Sequence, residues 1–240
     1  MYEQEYPLDV NALCVHNRCT TGMKGEFDCL DCELTGMLCL DCLLVTHRWQ
    51  PFHRPMRWHQ GHFMQRSLIE LGYILALGHG GDQCPYIHNK HGPQKMTIGD
   101  VNGVHEMYVG WCRCANASTP ARQLFARRLF PASLSRPRMA FTFCMLKLFH
   151  MLNHVGRITP WNFAGTMHRL TDDMNVQGCP DIYKMFKEVQ RQWRVVRAWK
   201  WAGVMDPSIP RKPGSLAIPC VSCPNPETNL DKQWEEHPDR

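Results

Sequence analysis

Before Pro120 the apolar positions come in short runs closed by Gly, Pro or Cys, and after it they recur at helical spacing. The chain therefore reads as α+β, with its helices gathered toward the C-terminal half. His62 to Leu71 predicts a short helix, and Tyr73 to Leu77 an apolar strand or helix end closed by Gly78-His79-Gly80-Gly81. Lys95 to Ile98 and His105 to Val109 predict two strands. Their connection, Asp100-Val101-Asn102-Gly103, has hairpin turn chemistry, with Asn-Gly supplying positive φ. Helices are expected over Ala121 to Leu129, Ala140 to Asn153, Pro160 to Thr171 and Asp181 to Ala202. In the last of these, Ile182, Met185, Phe186, Val189, Trp193 and Val196 form an apolar stripe, while Lys184, Lys187, Arg191 and Arg194 line a separate basic face. Beyond Gly203, Pro207, Pro210 and Pro213 read as a linker.

The N-terminal quarter follows a different rule, set by ligand spacing: Cys14-x4-Cys19-x9-Cys29-x2-Cys32-x6-Cys39-x2-Cys42-x4-His47-x5-His53. Soft ligands paired two to five residues apart suit tetrahedral zinc, because a short knuckle brings two thiolates to one ion without backbone strain. Four pairs make two ions. In an interleaved cross-brace one ion takes Cys14, Cys19, Cys39 and Cys42, and the other takes Cys29, Cys32, His47 and His53. The terminal His-His pair makes the module B-box-like rather than a RING or PHD finger. His16, beside the first knuckle, is expected to be an exposed side chain and not a ligand.

Two further pairs, His79-x4-Cys84 and Cys112-x-Cys114, flank the hairpin. Two readings stay open for them, a third zinc site or a half-buried cysteine cluster. Cys144, on a helix face with Phe141 and Leu148, is expected in the core, and Cys179 is taken as structural. Cys220-x2-Cys223 forms a last knuckle with no assigned role. Disulfides fit poorly: the 13 Cys are an odd number, and Met1 is followed by Tyr2-Glu3-Gln4-Glu5 rather than a basic n-region.

At 240 residues, 44% hydrophobic and 20% charged, the chain has material for one or two packed domains beside the zinc module. No run approaches 18 apolar residues, since the stretch from Met37 to Val45 is broken by Asp41, and no membrane span is expected. The net charge of +5 is unevenly placed. Residues 121–215 hold 16 Lys/Arg against 5 Asp/Glu, whereas 1–58 and 216–240 are each at −3. Such a basic block suits a polyanion such as DNA. The rival reading of the basic helix is a solvated face. Trp199 and Trp201 have the ring faces for base stacking, although aromatics near a helix end also serve as core or interface.

Enzyme motifs fail. His105-Glu106 lacks the second His of a zinc protease, because Val109 stands there. Cys220-Val221-Ser222-Cys223 matches half of a zinc-deaminase signature, but no His is followed two residues later by Glu. The glycines at 78, 80 and 81 lack the Lys-Ser/Thr of a phosphate loop. Asp172-Asp173, Asp181, Glu235, Glu236 and Asp239 make no partnered carboxylate set for two-metal chemistry. The expectation is of no catalytic residues and no enzyme activity in this chain.

Several strings together resemble one family. They include Cys29-Leu30-Asp31-Cys32, Cys39-Leu40-Asp41-Cys42, Pro51-Phe52-His53-Arg54, Leu77-Gly78-His79-x4-Cys84, Asp100-x-x-Gly103-x-His105, Cys112-Arg113-Cys114, Phe130-Pro131-Ala132-Ser133 and Ala140-Phe141-Thr142-Phe143. From Cys14 to about Trp234 the chain resembles the second type of CxC-like cysteine cluster associated with KDZ (Kyakuja-Dileera-Zisupton) transposases of fungi. The resemblance implies a nuclear protein in which this region precedes an RNase H-like catalytic core. Cys220 to Leu230 looks like the entry to that core, departing from the family's string at Val221 and Glu227.

The expected architecture is thus α+β: a double-zinc cross-brace over 1–58, a cysteine-cluster domain over 59–157, a basic helical region over 158–205, and a linker with the start of a core over 206–240. The expected function is a zinc-binding accessory region that binds or positions DNA. The alternative is a B-box-like module for protein–protein interaction.

Overall fold

The structure is a computed structural model that describes residues 9, 11–33, 36–86, 92–203, 206, 208 and 236. The knuckle Cys220/Cys223 and the looked-for entry to a catalytic core lie outside the described residues. The fold is mixed α+β, and the chain divides into two compact units, Met1–Gln190 and Arg191–Arg240.

The N-terminal part of the first unit holds a three-stranded antiparallel sheet of β1 (Phe27–Cys29), β2 (Pro55–His59) and β3 (His62–Gln65), with α1 (Leu40–Thr46) between the first two strands. The strand β3 corrects the helix expected from His62. Gln60 and Gly61 both take positive φ, 47° and 86°, which is the geometry of a two-residue turn that keeps strand twist. The chain therefore doubles back, and Trp58 meets Phe63 edge to face at 4.9 Å. Residues 67–72 continue as turns, with the Tyr73 amide closing on Leu68 O at 2.9 Å. The sheet runs past Trp58 to Gln65.

The second sheet has five strands in the order β4-β6-β5-β8-β7. These are β4 (Ile74–Ala76), β5 (Gln94–Asp100), β6 (Gly103–Gly110), β7 (Leu129–Pro131) and β8 (Met139–Thr142). The expected hairpin is β5–β6, longer at both ends than its sequence pattern, with Asp100 paired to Gly103. In its turn only Gly103 takes positive φ, 133°. Asn102 serves through its side chain, donating from Nδ2 to Phe52 O and accepting from His105 Nε2, both at 2.7 Å.

The helices that follow α1 are α2 (Pro120–Ala126), α3 (Phe143–Gly156), α4 (Pro160–Thr171) and α5 (Tyr183–Trp201). Two expected helices are shortened by strands. Leu129 belongs to β7, and Met139 to Thr142 form β8, so that α3 starts only where Thr142 Oγ1 accepts from the Met145 amide at 3.1 Å. An apolar run such as Ala140-Phe141 has no period of its own to separate strand from helix. The cap decides. Cys144, expected in the core, is exposed in the first turn of α3. α4 has the expected bounds, with Thr159 as its N-cap and Pro160 at its first position.

One core gathers Leu75, Met96, Ile98, Met107, Val109, Leu124 and Leu129 around the sheet. An aromatic cluster seats the helices: Phe149 lies 5.0 Å from Phe163 and 4.9 Å from Phe186, and Phe186 lies 5.4 Å from Phe141 in β8. Among the described residues no helix is long and apolar enough to cross a membrane.

Candidate metal centres

Twelve Cys and His side chains gather into three groups of four, and within each group the donor atoms lie within 4.8 Å of one another. The groups are Cys14, Cys19, Cys39 and Cys42; Cys29, Cys32, His47 and His53; and His79, Cys84, Cys112 and Cys114. The first two interleave along the chain in cross-brace order.

In the first group, residues 12–25 fold back on themselves, with the Cys14 amide on Met23 O at 2.9 Å. Cys39 caps α1, and Cys42 lies in its first turn, where unpaired backbone amides and the helix dipole favour thiolates. Thr21 Oγ1 stands 3.2 Å from Cys19 Sγ and 3.7 Å from Cys39 Sγ. That hydroxyl, helped by the backbone amides of Thr21 and Gly22, brings the Cys19 thiol down to about 6. Burial pushes Cys42 up, so this thiol gives its proton to solvent only when a metal ion takes its place on the sulfur. His16 is outside the four but half-buried rather than exposed; its carbonyl receives the Cys19 amide at 2.9 Å.

In the second group, Cys29 and Cys32 form a knuckle closed by the Cys32 amide on Cys29 O at 3.1 Å. His47 is fully buried, and its Nδ1 donates to Leu43 O at 2.9 Å, which leaves Nε2 as the free lone pair, 3.4 Å from Cys32 Sγ. His53 presents Nδ1 at 3.2 Å from the same sulfur. Burial lowers the His47 pKa, keeping the ring in the neutral form that ligation needs. Burial also raises Cys29 to about 12.

The third group is assembled by a strand pairing that no sequence pattern announces. β4 runs parallel to β6, with Ala76 opposite Gly110, so the segments leaving both strands emerge side by side. His79 Nε2 lies 3.4 Å from both Cys112 Sγ and Cys114 Sγ, and Cys84 Sγ is 3.9 Å from Cys114 Sγ. The Arg113 amide donates to Cys84 Sγ at 3.3 Å and, as the largest influence, takes that thiol down to about 6. Desolvation raises Cys114 to about 11.

The neighbouring glycines make the loop. His79, Gly80 and Gly81 take φ of 50°, 62° and 91°, and a Cβ on Gly78 would sit 2.8 Å from Cys112 Cβ. Gly78 is thus explained by the close approach of Cys112, and Gly80 and Gly81 by the positive φ of the loop.

Cys179 Sγ faces His168 O at 3.6 Å and belongs to none of the groups. Asp172 accepts from the Met174 and Asn175 amides, Asp173 pairs with Arg169, and Asp181 accepts from the Tyr183 amide. On α5, Lys184 and Arg191 are exposed while Lys187 and Arg194 are half-buried; Lys184 and Lys187 lie in the first compact unit, Arg191 and Arg194 in the second.

Three four-donor Cys/His groups in a small α+β scaffold define a cysteine-cluster protein. Residues 68–175 match the family model of the CxC2 like cysteine cluster associated with KDZ transposases. The match contains the third group, the second sheet and α2 to α4, and it is narrower than the span of resemblance read from the sequence. No curated protein and no solved structure matches the chain.

Proposed function

We propose that the chain is a zinc-bound region of a KDZ-type transposase that positions DNA in the nucleus and leaves strand chemistry to other parts of the enzyme. Zinc follows from the donors. One group offers four thiolates, one offers two thiolates with two imidazoles, and one offers three thiolates with one imidazole. Such sets, with compact tetrahedral reach, suit zinc better than carboxylate-loving ions. The observation that carries DNA is charge. From residue 107 to residue 171 there is no Asp or Glu, while Arg113, Arg122, Arg127, Arg128, Arg136, Arg138, Lys147, Arg157 and Arg169 are all present. Eight of the nine are exposed and Arg127 is half-buried. Among the described residues only Arg169 of these has an acidic partner, Asp173 at 3.3 Å. A stretch of one sign with so little internal neutralisation attracts a polyanion. Lys184, Lys187, Arg191 and Arg194 add cations on α5.

The test is the salt dependence of duplex binding by the zinc-loaded chain. Each phosphate contact contributes a slope of about −0.9 in log K against log salt. Replacing Arg122, Arg136 and Arg138 by Gln should make the slope shallower by about three contacts, as should replacing Lys187, Arg191 and Arg194.

A protein-interaction role for the cross-brace is the second reading, favoured by the exposed apolar side chains Leu13, Val15, Met23, Leu30 and Val45 around its first two groups. Slopes that ignore both sets of substitutions would select it.

A further inference from the structure

We infer that the chain holds an unpaired DNA nucleotide at the cavity beside Trp49, its base against the indole and its phosphate on Arg127 and Arg128. The inference rests on the DNA reading and names a subsite within it.

The cavity measures about 550 Å³, which is the size class of small-ligand sites. Its walls include the rings of Trp49, Phe52 and Phe143, its rim Arg127 and Arg128, and its single acid is Asp100. Trp49 is 61% exposed, and the Arg127 and Arg48 guanidinium groups both lie over its ring, at 4.9 and 5.6 Å, so a base stacks on the indole by taking the place of Arg127. Arg48 is itself fixed by Gly80 O at 2.9 Å and Asp82 at 2.8 Å. Asp100 is oriented by Thr142 Oγ1 at 2.6 Å and offers an acceptor to the amino groups of adenine, cytosine and guanine, which thymine lacks.

Arg128 supplies an independent argument. It takes φ of 57° just after α2, a left-handed position that glycine occupies without steric cost. Among the described residues Arg128 contributes its backbone, its amide donating to Phe125 O at 2.9 Å and its carbonyl receiving the Phe143 amide at 3.0 Å. Arg157 takes a similar φ of 52° after α3, and what sets Arg128 apart is that it lines the cavity.

The probe is a fluorescently labelled DNA hairpin with one unpaired nucleotide in its stem, compared with a fully paired hairpin and with an abasic residue at the unpaired position. Anisotropy with the full zinc-loaded chain should show the unpaired base bound about ten-fold tighter than either control, the size of one base–aromatic stack. An unpaired dT should bind more weakly than dA, dC or dG. Trp49→Ala should abolish the advantage and Trp49→Phe retain part of it, with zinc content unchanged. Arg128→Gly should weaken binding without lowering the melting temperature, a result that a purely structural role cannot produce.

An advantage that survives Trp49→Ala, or an abasic probe bound as tightly as a base, overturns the inference, and so does Arg128→Gly binding like the parent. Equal affinity for dT and the other bases refutes the role given to Asp100. If the paired hairpin binds with the expected salt slope but no base advantage appears, the subsite alone falls. If neither hairpin binds, the DNA reading falls with it.

Discussion

Replacing Gly78 with alanine adds one methyl group at 2.8 Å from Cys112 Cβ and 3.5 Å from its sulfur. Ordinary carbon contacts lie near 3.5–4.0 Å, so the two segments must part by roughly 1 Å. Neither side yields easily. Cys112 is held at both backbone groups by the buried side chain of Gln123, which accepts from its amide at 2.9 Å and donates to its carbonyl at 3.1 Å. On the other side the Leu77 amide is fixed on Gly110 O at 3.0 Å. The strain falls on the third donor group, and overpacking of this kind costs about 1–3 kcal/mol. Taking about 2 kcal/mol, zinc affinity at that group drops roughly 30-fold. In a chelator titration of the loaded chain, one ion should leave at about 30-fold lower chelator while the other two follow the parent curve. The loaded protein should melt about 4–8 °C lower, and the metal-free variant should fall below its parent by less, because without the ion the loop after Gly78 has one restraint fewer. A chelator profile identical to the parent's would refute both the third centre and the reasoning from close approach.

The same substitution at Gly165, in α4 with nothing within 4 Å of its Cβ position, should instead stabilise the chain by about 0.5–1 kcal/mol in denaturant unfolding. Thr142→Ala removes the cap of α3 and the hydrogen bond to Asp100 together, and should cost about 2 kcal/mol by the same assay. His105 is brought down to about 3 by desolvation, with the Arg54 charge adding to it, so the fold holds it neutral. Its unfolded form takes a proton near pH 6.5 that the folded form refuses, so parent stability should fall on acidification from that pH toward about 3. Relative to His105→Gln, the loss should approach one proton's worth, roughly 1.4 kcal/mol per pH unit, in paired urea titrations; parallel pH profiles would show that the ring is protonated in the fold.

How much can be read beforehand depends on the distance over which each feature is encoded. A knuckle is a local object: ligands a few residues apart constrain their own backbone, which is why the eight donors of the first two groups are recognisable from spacing, while His79/Cys84 and Cys112/Cys114 leave a zinc site and a half-buried cysteine cluster both open. The interleaving of the first two groups follows from pair order alone. What brings His79 to Cys112 is the parallel pairing of β4 with β6, and no local pattern carries that register. The helix expected at His62 fails because Gln60 enters the left-handed region, which its side chain does not advertise. Ala140 to Thr142 fails because an apolar run fits strand and helix alike, although Thr142 ahead of Phe143 is a readable cap. The Trp49–Arg127 stack joins residues that no periodicity relates.

The stretch between the two histidine ligands of the second group also explains how that group and the rest of the first unit are made to fit. His47 and His53 bracket five residues whose backbone is gripped from the second sheet: Tyr73 donates to Arg48 O at 3.1 Å, and Asn102 to Phe52 O at 2.7 Å. Arg54 follows directly. Its amide donates to Asp31, inside the Cys29/Cys32 knuckle, and its guanidinium donates to the Leu170 and Thr171 carbonyls at the end of α4, where a cation answers the helix dipole. The Arg48–Asp82 pair is exposed and contributes little by itself. The backbone hydrogen bonds matter more, because each needs the 47–54 segment in one conformation. A metal on His47 and His53 fixes both ends of that segment, so part of the folding energy released by ligation goes into docking the cross-brace against β4, β6 and α4.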